Sequence, residues 1–497
     1  MTFINMKQSK IHPAKYRKAV ISPKAKLFNR VKIYNTLSGK KEIIKPLKGK
    51  NINIFVCGPT VYDHSHIGHA INFIFFDCFV KYLRFCGFKV FYLQNITDID
   101  DRIIIRAKEK GVLAKNLAKA FTVEHFKKMK LLGINSVNKY AKATNYIKEI
   151  INQVIRLEKK GYAYRLNDGI YFDISKFKNY GKLSHRTILQ AEDSVSRIDY
   201  SRNKKNRGDF CLWKFHAEGE PSWPAPFGKG RPGWHIEDTA ITEKFFGPQY
   251  DIHGGGIDLI FPHHEAEITQ MESISGKKPL VKYWMHSGFL TINGQKMSKS
   301  LNNFITINDF LKNHQYRNLR FWIAKSLWRS PVDYSEMVMV EIKYNLEKIE
   351  ELLRRIKMQI TKNKGLVEKS KNNLLKKHRD DFYKNLNDDF NTPKAFAVIF
   401  ELIKKTNALI DKNKVSKKEL DEIYDFLKEI NLIFDIIDFD KLKKSNIPNE
   451  VEQLLGKREN YRKSQDWSRA DEMRLEIEKY GYLVEDTKEG SILKKNY

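Results

Sequence analysis

The sequence predicts an α/β fold built on a doubly wound parallel sheet, followed by an α-helical bundle and a small C-terminal domain. Three observations predict it. The apolar run from Ile52 to Cys57 ends at Gly58-Pro59, an apolar helix is expected from Ala70 to Phe85, and Lys89 to Asn95 reads as a second buried strand. Strand, helix, strand is a βαβ unit, and such units make parallel sheets. Beyond Ser335 the period changes: Ile342, Leu346, Ile349, Leu353, Ile356 and Ile360 recur at spacings of three and four, which is the apolar stripe of a bundle helix. The tail from 446 reads as helical, with a short strand-like end from Tyr482 to Glu485, and its 10 basic residues are matched by 11 acidic ones.

Size and charge set bounds on what the chain does. Its 497 residues predict about three to four domains. An apolar fraction of 41% supports real cores and excludes wholesale disorder. The 90 basic against 59 acidic residues leave a net charge of +31, which points to a polyanionic partner. A lysine-rich proteome would account for part of it. The four cysteines, Cys57, Cys78, Cys86 and Cys211, are too few for a disulfide scaffold and fit a reducing, cytoplasmic setting. Cys78, Cys86 and Cys211 lie in apolar surroundings and are expected in the core. No apolar run approaches the roughly 20 residues of a membrane span, so no membrane partner is expected.

The elements divide the chain in order. Residues 1–30 form a basic arm without an acidic residue, since the first acid is Glu42, and no apolar segment in it suits a secretory signal. Residues 31–150 carry the first half of the sheet domain, 151–225 an insertion, and 226–275 the second half. The stretch from Trp223 to Gly233 holds three prolines and three glycines and is expected to be an irregular loop at a site. Residues 276–334 follow as the region that carries a Lys/Ser loop, 335–445 as the helical bundle and 446–497 as the last domain. Ser335 is expected to cap the first bundle helix, and Thr392-Pro393 to start another with proline in its first turn.

Three stretches carry chemistry. The first runs from Cys57 to His69 between a strand end and a helix start, where free backbone N–H groups favour a phosphate. Gly68 lets the backbone approach closely. His66 and His69, three apart, suit donation to a pentacovalent α-phosphate as charge develops; the alternative is a pair of capping or core histidines. The second is Lys296-Met297-Ser298-Lys299-Ser300, a cationic loop fit to neutralise a leaving pyrophosphate, though a solvated Lys/Ser loop is common in such a chain. The third runs from His253 through Gly254-Gly255-Gly256 to Asp258 and on to Phe261-Pro262-His263-His264-Glu265-Ala266-Glu267. Its glycines allow a base or ribose to lie against bare backbone. His263 and Glu267 share a helix face at a metal-ligand spacing, or form a plain surface pair.

Taken together these stretches resemble the class I aminoacyl-tRNA synthetases, and among them the cysteinyl-tRNA synthetase family. Supporting segments are Asn95-Ile96-Thr97-Asp98-Ile99-Asp100-Asp101, Gly233-Trp234-His235-Ile236-Glu237, Trp284-Met285-His286-Ser287-Gly288, Asp388-Asp389-Phe390-Asn391-Thr392-Pro393, Asp466-Trp467 and Ala470-Asp471. The resemblance covers the chain from about residue 31 to the end.

The resemblance implies a Rossmann-like catalytic domain, cysteine, ATP with Mg²⁺ and tRNA(Cys) as substrates or partners, and a monomer. It implies one zinc ion per chain, with ligands falling on Cys57, position 238, His263 and Glu267. Position 238 departs from the family, being Asp238 where a cysteine is usual. Cys57, Asp238 and Glu267 still carry three negative charges, and carboxylate is an accepted zinc donor, so a zinc site with Asp238 as ligand is expected. Three protein ligands, or loss of the metal, are the alternatives. Gly58, His66, Gly68, His69, Gly255, Gly256, Asp258 and Lys299 are expected on ATP, with Lys296 and Lys299 joining the two histidines in catalysis. Thr97, Trp234 and His235 are expected around the amino acid. Leu301-Asn302-Asn303 replaces the usual Leu-Gly-Asn, and asparagine tolerates a left-handed turn. Arg458, Arg462, Lys463, Arg469 and Arg474 suit tRNA phosphates. The competing readings are a cysteine ligase on the same core that acts on an amino sugar, and an inactive RNA-binding paralogue.

Overall fold

The computed structural model describes residues 30–186, 203–298, 301, 303–362, 366, 374–443, 448–487 and 490–495. The basic arm, except Arg30, therefore lies outside the described residues. The chain divides into two compact units, one ending at Ile437 and one beginning at Asp438.

In the first unit, β1 (Lys32–Asn35) and β2 (Lys40–Ile43) pair antiparallel and lead into β3 (Asn51–Val56). Helix α1 (Ile67–Phe85) follows, then β4 (Lys89–Ile96). The helix starts three residues earlier than the expected Ala70. Gly68 and two histidines are weak helix formers, but backbone pairing fixes the first turn: Ile67 N donates to Ile305 O at 3.1 Å and Ile307 N to Ser65 O at 3.0 Å. Most of α1 is buried, which its nearly continuous apolar sequence requires. Helices α2 (Asp101–Glu109) and α3 (Ala114–Leu131) connect to β5 (Lys139–Lys142), and α4 (Ile147–Lys159) leaves the sheet for the insertion.

The insertion is a four-stranded antiparallel sheet of β6 (Ala163–Leu166), β7 (Gly169–Phe172), β8 (Phe210–Phe215) and β9 (Gly230–Pro232), paired in that order. The Pro/Gly-rich stretch is thus less irregular than expected, because Gly230–Pro232 pairs with Trp213–Phe215. Cys211 is buried within this sheet, and all four cysteines are free and buried.

Helix α5 (Ile236–Phe246), β10 (Tyr250–Gly256), α6 (Glu265–Ser275) and β11 (Val281–Ser287) complete the parallel sheet. Its order is β11-β10-β3-β4-β5. The chain winds from β3 outward to β5 and then returns to β10 on the other side of β3. The boundary between β3 and β10 is therefore the switch point, where ligands bind beyond the carboxyl ends of the strands. Gly254 stands opposite Val56, and Val56 opposite Gln94, so Cys57, Thr97 and Gly256 share that edge.

A small sheet of β12 (Leu290–Ile292), β13 (Gln295–Lys296) and β14 (Val332–Tyr334) follows, with α7 (Ile307–Asn313) and α8 (Tyr316–Lys325) between its strands. The bundle comprises α9 (Glu336–Lys362), α10 (Leu374–Asn387), α11 (Thr392–Asp411) and α12 (Lys417–Phe434). Ser335 Oγ accepts from Val338 N at 3.2 Å, the expected cap. Ile342, Leu346, Ile349, Leu353 and Ile356 are buried along one face of α9.

The second unit holds α13 (Phe439–Lys443), α14 (Asn449–Lys463), α15 (Trp467–Lys479) and a hairpin of β15 (Tyr482–Thr487) and β16 (Gly490–Lys495). Val451, Ile477, Tyr482 and Val484 form its core. Arg458, expected on a tRNA phosphate, is instead 3% exposed and makes two hydrogen bonds of 2.8 Å to the Asp486 carboxylate. Arg462 also pairs with Asp486.

Candidate active site and metal centre

Four side chains meet at the switch point. Cys57 follows β3, Asp238 and Glu267 lie in the first turns of α5 and α6, and His263 precedes α6. Both carboxylates sit where the positive ends of helix dipoles favour them. One donor atom from each of Cys57, Asp238, His263 and Glu267 lies within 4.8 Å of every other, and all four residues are buried. Asp238 Oδ2 is 3.5 Å from Cys57 Sγ and 3.0 Å from His263 Nε2. Glu267 Oε1 is 3.4 Å from His263 Nε2. Both Glu267 oxygens are buried and make no hydrogen bond among the described residues.

Desolvation first, then the Asp238 and Glu267 charges, push the Cys57 thiol well above its ordinary value; burial and Asp238 do the same to Glu267. Burying such a set without a counter-charge is costly. One thiol, one imidazole and two carboxylates converging around an unbonded carboxylate fit a divalent cation.

A shell of polar groups holds this cluster. Asn95 Nδ2 donates to Asp238 Oδ1 at 2.6 Å, which leaves Oδ2 facing Cys57 and His263, and Asn95 Oδ1 accepts from Gly58 N at 2.5 Å. Thr97 Oγ1 hydrogen-bonds Glu237. The Nδ1 atoms of His235 and His263 are 2.9 Å apart, so His235 braces His263 from its other ring nitrogen. Trp234 stacks on His263 with centroids 4.5 Å apart. His253 and His264 approach Cys57 Sγ at 3.4 and 3.1 Å, and with Cys57 and Glu267 they form a second, overlapping donor set. Behind them, His264 Nδ1 lies 2.8 Å from His286 Nε2, and His253 Nδ1 lies 2.6 Å from the Tyr250 hydroxyl. Burial lowers the His286 pKa to about 3, so that ring is neutral. Sequence reading assigned no role to Asn95, His253 or His286, although all three lie in stretches it singled out.

The nucleotide side forms at the start of α1. The His66 and His69 rings stack with centroids 3.7 Å apart. His69 Nδ1 is buried and makes no hydrogen bond among the described residues. Burial first, then the charges of His66, His125 and Arg102, hold this imidazole well below its ordinary pKa. The pairing of Ser65–Ile67 with Ile305–Ile307 brings the Lys/Ser loop to this point, and Met297 Cε lies 3.6 Å from where a Cβ on Gly68 would stand. The Asn303 side chain braces the loop, accepting from Ser298 N at 2.8 Å and donating to Lys296 O at 3.2 Å. Lys296 is exposed on β13. Lys299 lies outside the described residues.

The glycines serve packing more than expected. A Cβ on Gly254 would overlap the Phe76 ring, and one on Gly255 would stand 2.8 Å from His264 Cε1. Gly58 packs against the Asn95 carbonyl, and Gly256 against Asp258, which is exposed at the rim.

Residues 43–344 match the family described as tRNA synthetases class I (C) catalytic domain. Residues 381–437 match the DALR domain, and 444–491 the cysteinyl-tRNA ligase anticodon binding domain. The chain is 42% identical to a cysteine–tRNA ligase of Methanococcus maripaludis strain C7, over 94% of this chain and 99% of that one. It is 44% identical to a cysteine–tRNA ligase of Thermoplasma volcanium, over 91% and 97%. This chain belongs to the cysteine–tRNA ligase family. It is an aminoacyl-tRNA synthetase with an ATP-using class I catalytic domain. The anticodon binding domain disfavours the amino-sugar ligase reading, which needs no tRNA. In fold, the chain matches methionyl-tRNA synthetase of Mycobacterium tuberculosis with a TM-score of 0.57 at 15% identity, over 78% of this chain and 89% of that one. Among the described residues, no helix is long and apolar enough to cross a membrane.

Proposed function

We propose that this chain activates cysteine with ATP, giving cysteinyl-adenylate and pyrophosphate, and passes the cysteinyl group to the 3′ end of tRNA(Cys). The observation that carries the reading is the buried Cys57–Asp238–His263–Glu267 cluster beside the stacked His66 and His69. These four residues hold one zinc ion. Zinc held there would supply a Lewis acid for the substrate thiol, a contact that serine and alanine lack.

Asn95 and His235 orient Asp238 and His263, and Trp234 with Thr97 bounds the amino acid. His66 and His69 donate to the α-phosphate as the cysteine carboxylate attacks it. Lys299, with Lys296, neutralises the departing pyrophosphate, and Mg²⁺ accompanies the triphosphate. Gly58, Gly68, Gly255, Gly256 and Asp258 line the nucleotide. The terminal ribose hydroxyl of the tRNA then takes the acyl group. In this reading residues 31–150 and 226–275 are the catalytic halves, 276–334 meets the acceptor stem, and 335–445 with 446–497 reads the tRNA body and anticodon. Four buried free cysteines support a reducing, cytoplasmic setting, and a monomer carries every residue named.

ATP–pyrophosphate exchange, run beside metal analysis, tests the reading. Cysteine-dependent exchange with one zinc per chain is expected. Exchange with another amino acid but not with cysteine overturns it.

A further inference from the structure

Cysteine is a zwitterion, and the cluster described above accounts only for its thiol. The cluster is rich in acids, so the substrate carboxylate needs a cation outside it, toward the histidines of α1. Arg102, on the first turn of α2, lies at that boundary. Its guanidinium stands 5.2 Å from the centre of the Trp234 ring and 5.5 Å from that of Tyr62, and Trp234 in turn stacks on His263. Toward α1, its charge reaches His69, whose low pKa is due first to burial and in part to Arg102.

The side chain is preset. Nε donates to Asp100 Oδ1 at 2.9 Å, and one terminal nitrogen, Nη2, donates to Thr60 Oγ1 at 3.0 Å. The other, Nη1, makes no hydrogen bond among the described residues, and the side chain is 35% exposed. Neighbouring cations are committed elsewhere. Lys214 and Arg231 pair with Asp101, and Arg106 donates to Glu109 at 2.8 Å. An arginine with two nitrogens anchored, two aromatic faces against it and a third nitrogen open presents a fixed donor to an anion.

We propose that Arg102 binds the carboxylate of the amino-acid substrate through Nη1 and so aims it at the α-phosphate held by His66 and His69. The inference rests on the proposed cysteine-activating function. It gives the pocket a second point of recognition: the metal cluster reads the thiol and Arg102 reads the carboxylate.

The test compares cysteine with cysteamine, which keeps the thiol and amine but lacks the carboxylate. Binding of each is measured by calorimetry on the zinc-loaded full chain, for the unaltered protein and for Arg102→Gln and Arg102→Lys. The unaltered protein is expected to prefer cysteine. Arg102→Gln should lower cysteine affinity about ten- to a hundred-fold, the worth of one charged hydrogen bond, and leave cysteamine affinity and zinc content unchanged. Arg102→Lys should recover part of the loss. Equal loss of both ligands makes Arg102 a brace for Tyr62 and Trp234 and overturns the inference, as does no loss of either. If the unaltered protein binds neither thiol, the function proposed for the site fails first, and this inference with it.

Discussion

Asp238 stands where the family resemblance implies a cysteine, and its surroundings fit it for the ligand role proposed above. A carboxylate has two oxygens. Asn95 takes Oδ1 at 2.6 Å and leaves Oδ2 for the cluster. Asp238→Ala is expected to lose zinc or bind cysteine much more weakly while ATP binding persists; metal analysis and calorimetry read both. Asp238→Cys should keep the metal and remain active, because thiolate preserves the charge. Full metal content and normal cysteine affinity in Asp238→Ala would remove Asp238 from the ligand set. Asn95→Ala, which frees the carboxylate to rotate, should weaken metal affinity about ten- to a hundred-fold, as outer partners of metal ligands do; competition with a zinc chelator measures it. At this scale the sequence was informative where spacing is local. The spacing of His263 and Glu267 made them readable as neighbours, and their side chains approach to 3.4 Å, although His263 stands just before α6 rather than within it. The Asn95–Asp238 and His253–Cys57 contacts join residues far apart in the chain, so no periodicity marks them.

Among the elements, α1 matters most, because its N-terminus carries both histidines and its middle is pinned to other parts of the fold. Asp77, buried in α1, accepts from Arg320 Nη2 at 2.8 Å and from Lys81 Nζ at 2.7 Å. Fully buried, Arg320 also donates to Phe434 O at the end of α12 and to Leu132 O after α3. One arginine thus ties α1 to the bundle. Asp77→Asn leaves that guanidinium buried without its counter-charge and is expected to destabilise the first unit by about 3–5 kcal/mol, measured by denaturant unfolding. Burial alone would raise the Asp77 pKa, but Arg320 and Lys81 outweigh it and hold the carboxyl below its ordinary value. A carboxyl depressed in the folded state stabilises above its unfolded pKa, and the gain is lost as pH falls through the folded value. The acid-induced loss of stability below about pH 4 should therefore be shallower in Asp77→Asn than in the unaltered protein. The strands flanking α1 were legible from their apolar runs. The early start of α1 was not, because contacts with residues 305–307, some 240 positions later in the chain, override the poor helix propensity of its first turn.

For the molecule as a whole, the charge of +31 indicated a polyanion, but the tail from 446 is near neutral, with 10 basic and 11 acidic residues, and charge alone does not say which arginines are available to a partner. Within the second unit, the Arg458 hydrogen bond leads the groups that hold the Asp486 carboxyl below its ordinary value, so this pair belongs to the folding of the unit. Lys463 is exposed at the end of α14 and so is open to solvent. The two residues should separate experimentally. Arg458→Ala should expose the hairpin β15–β16 to proteolysis and faster amide exchange, and weaken tRNA binding only as a consequence. Lys463→Ala should leave amide exchange unchanged and reduce the slope of log affinity against log salt by about one, the signature of one lost phosphate contact. Removing residues 438–497 should spare cysteine-dependent pyrophosphate exchange, whose proposed residues all lie in the first unit, and lower tRNA charging. If the truncated chain charges tRNA as well as the full one, the second unit is not needed for tRNA recognition, and the bundle of α9 to α12 must carry it.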